Sequence, residues 1–137
     1  MTIEKIERDG ILYAILVHPS DMTSETTQFY VPGEEALQMG IVANHKGYAE
    51  KPHYHRENKR TASGNHHVVF MTKGKMAVDF YDSGNKLFKT VEMNVGDLIL
   101  IADGVHRIRG ITDFSGIIVK QGPFVSLELD KVDVDAK

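Results

Sequence analysis

Short apolar segments separated by turn residues dominate the pattern of hydrophobic and polar positions along this chain. No window of the sequence repeats with the 3.6-residue period of a long amphipathic helix, and only residues 34–39 suggest a short helix or a single helical turn. The apolar segments, about ten in all and spaced by roughly 8–12 residues, indicate an all-β sandwich or barrel. Predicted strands cover residues 11–18, 27–31, 66–72, 75–81, 87–93, 98–102, 107–111 and 116–120.

Turn residues and one long polar segment divide these strands. Lys73-Gly74 joins two strand-like runs as a hairpin, and Asp82-Ser83-Gly84-Asn85 forms a second turn cluster. Residues 56–65 form the only long polar loop inside the predicted domain. A long loop within a compact β fold is often functional.

Composition narrows the possible chemistry. The 137 residues fit one domain, with 42% hydrophobic and 26% charged residues. A net charge of −3 lacks the basic excess of a nucleic-acid binder. The apolar run at residues 11–17 is too short to cross a membrane, and no signal peptide is recognisable, so we expect a cytoplasmic protein. The absence of cysteine excludes thiolate sites, which leaves seven histidines as the leading metal ligands.

His53 and His55 form a His-X-His pair. On an extended chain, side chains alternate between faces, so both rings point the same way. Two imidazoles on one face are a natural start for a site holding Zn, Cu, Fe or Ni, although an isolated pair is more often a surface or packing accident. His66-His67 and His106 supply further histidines.

The spacing around the first pair resembles the cupin superfamily. Five residues separate Gly47 from His53-Tyr54-His55, as in the first cupin motif, and Gly74 matches the closing glycine of that motif. Residues 78–82 and 119–124 are further similar to small single-domain cupins encoded beside enzymes of surface-polysaccharide sugar synthesis.

The second cupin motif is matched by Gly96, Gly104 and His106. The resemblance covers residues 47–124 and implies a jelly-roll β-barrel of two facing antiparallel sheets. The whole chain, 1–137, would then be one cupin domain with a polar tail at about 130–137.

The resemblance also implies a ligand set. Seven positions before Gly74 stands His67, where the family usually has glutamate, and His106 matches the histidine of the second motif. We therefore expect one divalent ion, either Fe, Zn, Ni or Mn, bound by His53, His55, His67 and His106. If His67 faces the interior, His66 faces the opposite side, but both faces of this strand are apolar, so the pattern does not decide between them.

Candidate substrate contacts lie near this set. Arg107 and Arg109 alternate along the strand after His106 and suit a carboxylate or phosphate, although a surface salt bridge explains them equally well. Tyr54 and Arg60 are weaker candidates. The loop 56–65 would gate the mouth of the barrel, or act only as a solvated connector.

Three functions remain open on this sequence. The first is a metal-dependent cupin enzyme, an oxidoreductase of dioxygenase type or an isomerase, acting on a small anionic or carbohydrate-like molecule. The second is a metal-free carbohydrate-processing cupin that uses histidine and tyrosine as acid and base. The third is a non-catalytic binding module for a small molecule. We also expect a homodimer, because the apolar strand 11–18 would need cover at a sheet edge.

Overall fold

The computed structural model describes residues 3–62, 64, 66–123 and 126–136. Strand accounts for 40% of the chain and helix for 5%, which confirms the all-β prediction. The described elements are β1 (Glu4–Arg8), β2 (Ile11–Val17), a 3-10 turn (Pro19–Asp21), β3 (Gln28–Phe29), β4 (Gly40–Ile41), β5 (His67–Lys73), β6 (Met76–Tyr81), β7 (Leu87–Met93), β8 (Leu98–Ile101), β9 (Val105–Gly110), β10 (Ser115–Lys120) and α1 (Leu127–Asp130).

Two antiparallel sheets and a small ribbon organise these strands. The larger sheet has the order β1-β2-β8-β5-β10, the smaller has the order β7-β6-β9, and β3 pairs with β4. Tight turns make the local connections. The turn between β1 and β2 places Asp9 and Gly10 at positive φ, the backbone twist that a two-residue hairpin requires.

The core of the sandwich lies between the two sheets. Tyr13, Ile99 and Met71 from the larger sheet pack with Val78 and Phe80 from the smaller one, in a single buried cluster. Phe80 is fully buried and meets the Tyr13 ring edge-on, with centroids 6.1 Å apart. Burial of this apolar surface is the main stabilising term of the fold.

A second buried cluster covers the outer face of the larger sheet. Ile15, Val17 and Leu100 from the sheet pack there against Tyr30 and Met39, which belong to the irregular segment before β5. This cover explains why both faces of β5 are apolar. One face fills the sandwich, and the other lies under the N-terminal segment.

The packing of β5 shows which of its residues point to the inner face of the larger sheet and which to the outer face. Val69 and Met71 belong to the inner cluster, and Val68 packs on the outer one. Side chains alternate along a strand, so His67 lies on the inner face of the sheet and His66 on the outer face.

β9 and β10 are the edge strands at one end of the two sheets, and β1 and β7 are the edge strands at the other end. In the described chain, β9 pairs only with β6 and β10 pairs only with β5. All six residues of β10 are exposed, with Ile117, Ile118 and Val119 each more than half exposed. Residues 42–62 contain no helix or strand, and nearly all of them are exposed.

Some sequence expectations are wrong. Residues 34–37 form turns and bends rather than a helix. The turn at Lys73-Gly74 does not close a hairpin, because it joins β5 of the larger sheet to β6 of the smaller one. The segment 11–18 is not a sheet edge, because β2 pairs with β1 on one side and β8 on the other. The argument for a homodimer through that strand therefore fails, and the homodimer itself stays a prediction. The described strands form an open sandwich, so the closed jelly-roll barrel also stays a prediction.

Candidate functional site

His67 and His106 come from different sheets and meet at one end of the sandwich. His67 begins β5 in the larger sheet, and His106 is the second residue of β9 in the smaller one. Their ring centroids lie 5.6 Å apart with the ring planes tilted by 50°. Sheet packing therefore brings together two imidazoles that are distant in sequence.

The two rings line a cleft of about 680 Å³. That volume is typical of small-molecule sites. Tyr81 and Arg107 lie on its wall, and residues of the C-terminal segment, including Lys131 and Asp133, complete the lining. The cleft therefore combines two imidazoles with a phenol and several charged groups.

The ring of His106 has a defined tautomer. Its Nδ1 lies 3.3 Å from the carbonyl oxygen of Gly104, and since a carbonyl only accepts, Nδ1 carries the proton. Burial lowers the pKa of His106 below its ordinary value, against the opposing effect of the hydrogen bond to Gly104, and the positive charge of Lys131 adds to the lowering. The neutral ring thus keeps the Nε2 lone pair for a metal ion or a proton.

His53 and His55 form a second ring pair. Their centroids lie 5.3 Å apart, and His53 Nδ1 donates to the carbonyl of Lys51 at 2.8 Å. This hydrogen bond again leaves Nε2 as the nitrogen with a lone pair. Both residues are exposed and lie in the segment without regular structure.

The structure thus assembles the four predicted ligands as two pairs. Within the described ranges, these histidines do not bring three ring nitrogens within 4.8 Å of one another. Binding of one ion by His53, His55, His67 and His106 together stays a prediction.

A different group could hold a metal ion. Glu35, His66 and Asp103 place one ligand atom each within 4.8 Å of one another, and among the described residues only this group of three does so. His66 is almost completely buried, whereas Asp103 is exposed. The His66-His67 sequence and strand alternation could have indicated an outward-facing histidine, but nothing local in the sequence connects it to Glu35.

Arg107 and Arg109 both bind Asp79, a buried residue of β6. The Nε atoms of Arg107 and Arg109 lie 3.1 Å and 2.8 Å from Asp79 Oδ2, and Thr90 Oγ1 donates to Oδ1 at 2.7 Å. The hydrogen bonds from Arg109, Thr90 and Arg107 hold the pKa of Asp79 well below its usual range, against the opposing effect of burial. The salt-bridge alternative therefore describes these arginines, and their role as substrate contacts stays a prediction.

The other substrate candidates lie away from this cleft. Tyr54 is 86% exposed and Arg60 is exposed, and neither lines the cleft. Residues 56–62 and 64 of the predicted gating loop are also exposed, and residues 63 and 65 lie outside the described residues. The gate stays a prediction.

Comparisons with known proteins add no identification. No protein family, curated protein or solved structure matches this chain. Among the described residues, no helix has the length and apolar character needed to span a membrane.

Proposed function

We propose that this chain is a small cupin-type protein that binds one divalent metal ion between its sheets and acts there on a small molecule. The observation that carries the proposal is the His67–His106 pair, which joins the two sheets at the mouth of a cleft. The cytoplasm remains the compartment we expect for it.

The spacing of the rings supports a shared ion. A metal bound about 2.1 Å from a ring nitrogen holds two imidazole centroids roughly 5 Å apart. The His67–His106 separation of 5.6 Å and the His53–His55 separation of 5.3 Å are both close to that value. Imidazole ligands suit Zn, Fe and Ni. These ions are therefore favoured over Mn, which prefers oxygen ligands.

The open edges of the sandwich support the jelly-roll barrel and the joining of the two pairs. The unpaired edges of β9 and β10 present hydrogen-bonding groups and apolar side chains that a further strand would cover. The exposed segment 42–62 precedes β5, the neighbour of β10, in the sequence. We infer that this segment adds strands to those edges, which would bring His53 and His55 beside His106 on β9.

The cleft suits a carbohydrate-like or weakly anionic molecule. Arg107 and Arg109 share the single negative charge of Asp79, and Lys131 Nζ lies 3.8 Å from Asp133, so the wall keeps only a modest net positive charge. Tyr81 and the ring nitrogens offer hydrogen-bonding groups for hydroxyls or a carbonyl. A bound divalent ion would supply Lewis acidity that an isomerase or an oxidoreductase could use.

The neutral state of His106 favours one alternative function. A half-buried imidazole with a lowered pKa and a lone pair on Nε2 can act as a general base in a metal-free carbohydrate-processing protein. Metal content separates the two functions.

The experiment measures bound zinc in the dialysed full chain and in His53→Ala and His106→Ala, with His45→Ala as the control. His45 is exposed and belongs to neither ring pair. We expect each test variant to lose one ion per chain and the control to lose none. Full zinc retention in both test variants would show that the ligand assignment is wrong.

A further inference from the structure

We propose that Glu35, His66 and Asp103 form a second divalent metal site, which fixes the outer segment and the turn before β9 to the larger sheet. This site lies on the opposite face of β5 from the histidine cleft, because His66 and His67 alternate across the sheet. Its positioning role for the cleft rests on the proposed function, but the binding of the ion does not.

The distances fit an ion better than a direct ion pair. His66 Nε2 lies 3.4 Å from Asp103 Oδ1 and 4.0 Å from Glu35 Oε2. Charge-assisted hydrogen bonds are shorter, about 2.7–2.9 Å. Ligands about 2.1 Å from one ion lie about 3.4 Å apart in a tetrahedral site and up to about 4.2 Å apart across an octahedral one.

Burial of the histidine is the second, independent observation. The His66 side chain is 2% exposed, and its Nε2, the nitrogen that faces both carboxylates, has only long contacts to them. A buried ring nitrogen with only long polar contacts is poorly satisfied. An ion on Nε2 would replace the weak contacts with a coordinate bond and would also neutralise the two carboxylates.

The backbone at Gly64 closes over the cluster. A Cβ at this position would lie 2.7 Å from Asp103 Oδ1 and 3.5 Å from His66 Nε2, and the residue has φ +83°. Only glycine combines this conformation with this close approach. The chain therefore passes within contact distance of the ligand atoms, while the 50% exposure of Asp103 leaves a side open for water ligands.

The site would join three separate segments. Glu35 belongs to the segment that covers the outer face, His66 immediately precedes β5, and Asp103 lies in the turn between β8 and β9. His67 follows His66, and His106 lies three residues after Asp103. An ion bound to His66 and Asp103 would therefore restrain the backbone beside both histidines of the cleft. One imidazole and two carboxylates are ligands for a first-row divalent ion such as Zn²⁺ or Mn²⁺.

The test uses the full chain freed of metal with a chelator and titrated calorimetrically with Zn²⁺. The variants are Glu35→Gln and Asp103→Asn, which keep side-chain size at partly or largely exposed positions, together with His106→Gln to remove a ligand of the cleft and His45→Gln as a control. The second readout is the rise in melting temperature that Zn²⁺ produces.

We expect His106→Gln to retain one zinc ion and its thermal stabilisation. Adding Asp103→Asn or Glu35→Gln to His106→Gln should weaken that ion at least tenfold and remove the stabilisation. The proposal is overturned if His106→Gln binds no zinc, or if both carboxylate variants bind zinc as tightly as their parents. If only the proposed function is wrong, the wild type and His106→Gln bind the same single ion, and Asp103→Asn weakens it in both.

Discussion

The central strands of the sandwich and the edge strands β9 and β10 differ in how completely they are paired. β2, β6 and β8 each have a neighbour on both sides and bury most of their side chains. β9 and β10 each have one neighbour, and β10 exposes all of its side chains. His106 lies on the edge strand β9, whereas His67 lies on β5, which has a neighbour on both sides, so the fully paired strands supply a rigid support and the open edge supplies access.

Local connection explains much of this difference. Tight turns join β1 to β2 and β6 to β7, so these pairs form at a small cost in loop-closure entropy. Strands added to β9 and β10 from residues 42–62 would have no such neighbouring partner. Binding of an ion to ligands from both regions would offset the cost of ordering that segment.

The largest expected effect is on the free energy of unfolding. It is seen by comparing a buried apolar residue of the central strand β6 with an exposed apolar residue of the edge strand β10. Phe80→Ala removes a fully buried ring that contacts Tyr13, so we expect a loss of about 3–5 kcal/mol in the free energy of unfolding. Ile118→Ala removes a side chain that is 55% exposed, so we expect a loss below about 1 kcal/mol. Urea denaturation of metal-free protein measures both.

The size of the Ile118 effect tests the comparison. A loss for Ile118→Ala close to that for Phe80→Ala would show that β10 is covered in solution even without metal. The open edges would then be closed by residues 42–62 or by a second copy of the chain.

The second effect concerns the charge network that supports β9. Asp79→Asn leaves Arg107 and Arg109 without their buried carboxylate, and because both guanidiniums stay near water we expect a loss of about 2 kcal/mol. Glu92→Gln on the neighbouring strand β7 breaks only an exposed pair with Lys75, 3.6 Å long, and should cost less than about 0.5 kcal/mol.

The pH dependence follows from the lowered pKa of Asp79. The folded state holds this pKa below the unfolded value of about 3.9, so the stabilisation is complete above that pH and is lost as the pH falls towards the folded value. The unfolding free energy of the wild type should therefore fall more steeply below about pH 4 than that of Asp79→Asn. Parallel curves from acid titrations of the two proteins would contradict this interpretation.

Most strands could be predicted from the sequence because apolar runs and turn residues mark them. β1 could not, because four of its five residues are charged and only Ile6 is buried. The facing of His66 and His67 also could not, because the outer face of β5 is covered by Tyr30 and Met39, which reach it from a distant part of the chain.

The candidate sites show the same limit. The pairing of His67 with His106 agrees with the sequence resemblance. Each histidine lies near the start of a strand, β5 or β9, at a fixed spacing from a turn glycine, Gly74 or Gly104. The cluster of Glu35, His66 and Asp103 could not be predicted, because it depends on the path of the irregular segment that carries Glu35. Contacts made by such a segment leave no periodic signal in the sequence.

The smallest expected effect is a change in hydrogen exchange at the open edges. If residues 42–62 pair with β9 and β10 when a metal binds, Zn²⁺ should slow exchange of amides in 50–56 and at the free edge of β9 by roughly tenfold, since paired amides exchange only through local opening. The protected amides of β8, which is paired on both sides, should change little and provide an internal control.

Exchange followed by mass spectrometry at two protein concentrations identifies what covers the edge. Protection that requires Zn²⁺ at both concentrations supports closure by the chain's own segment, and His53→Ala should abolish it. Protection that rises with concentration and ignores Zn²⁺ would instead assign the edge to a second copy of the chain, which would support the predicted homodimer and overturn the closure.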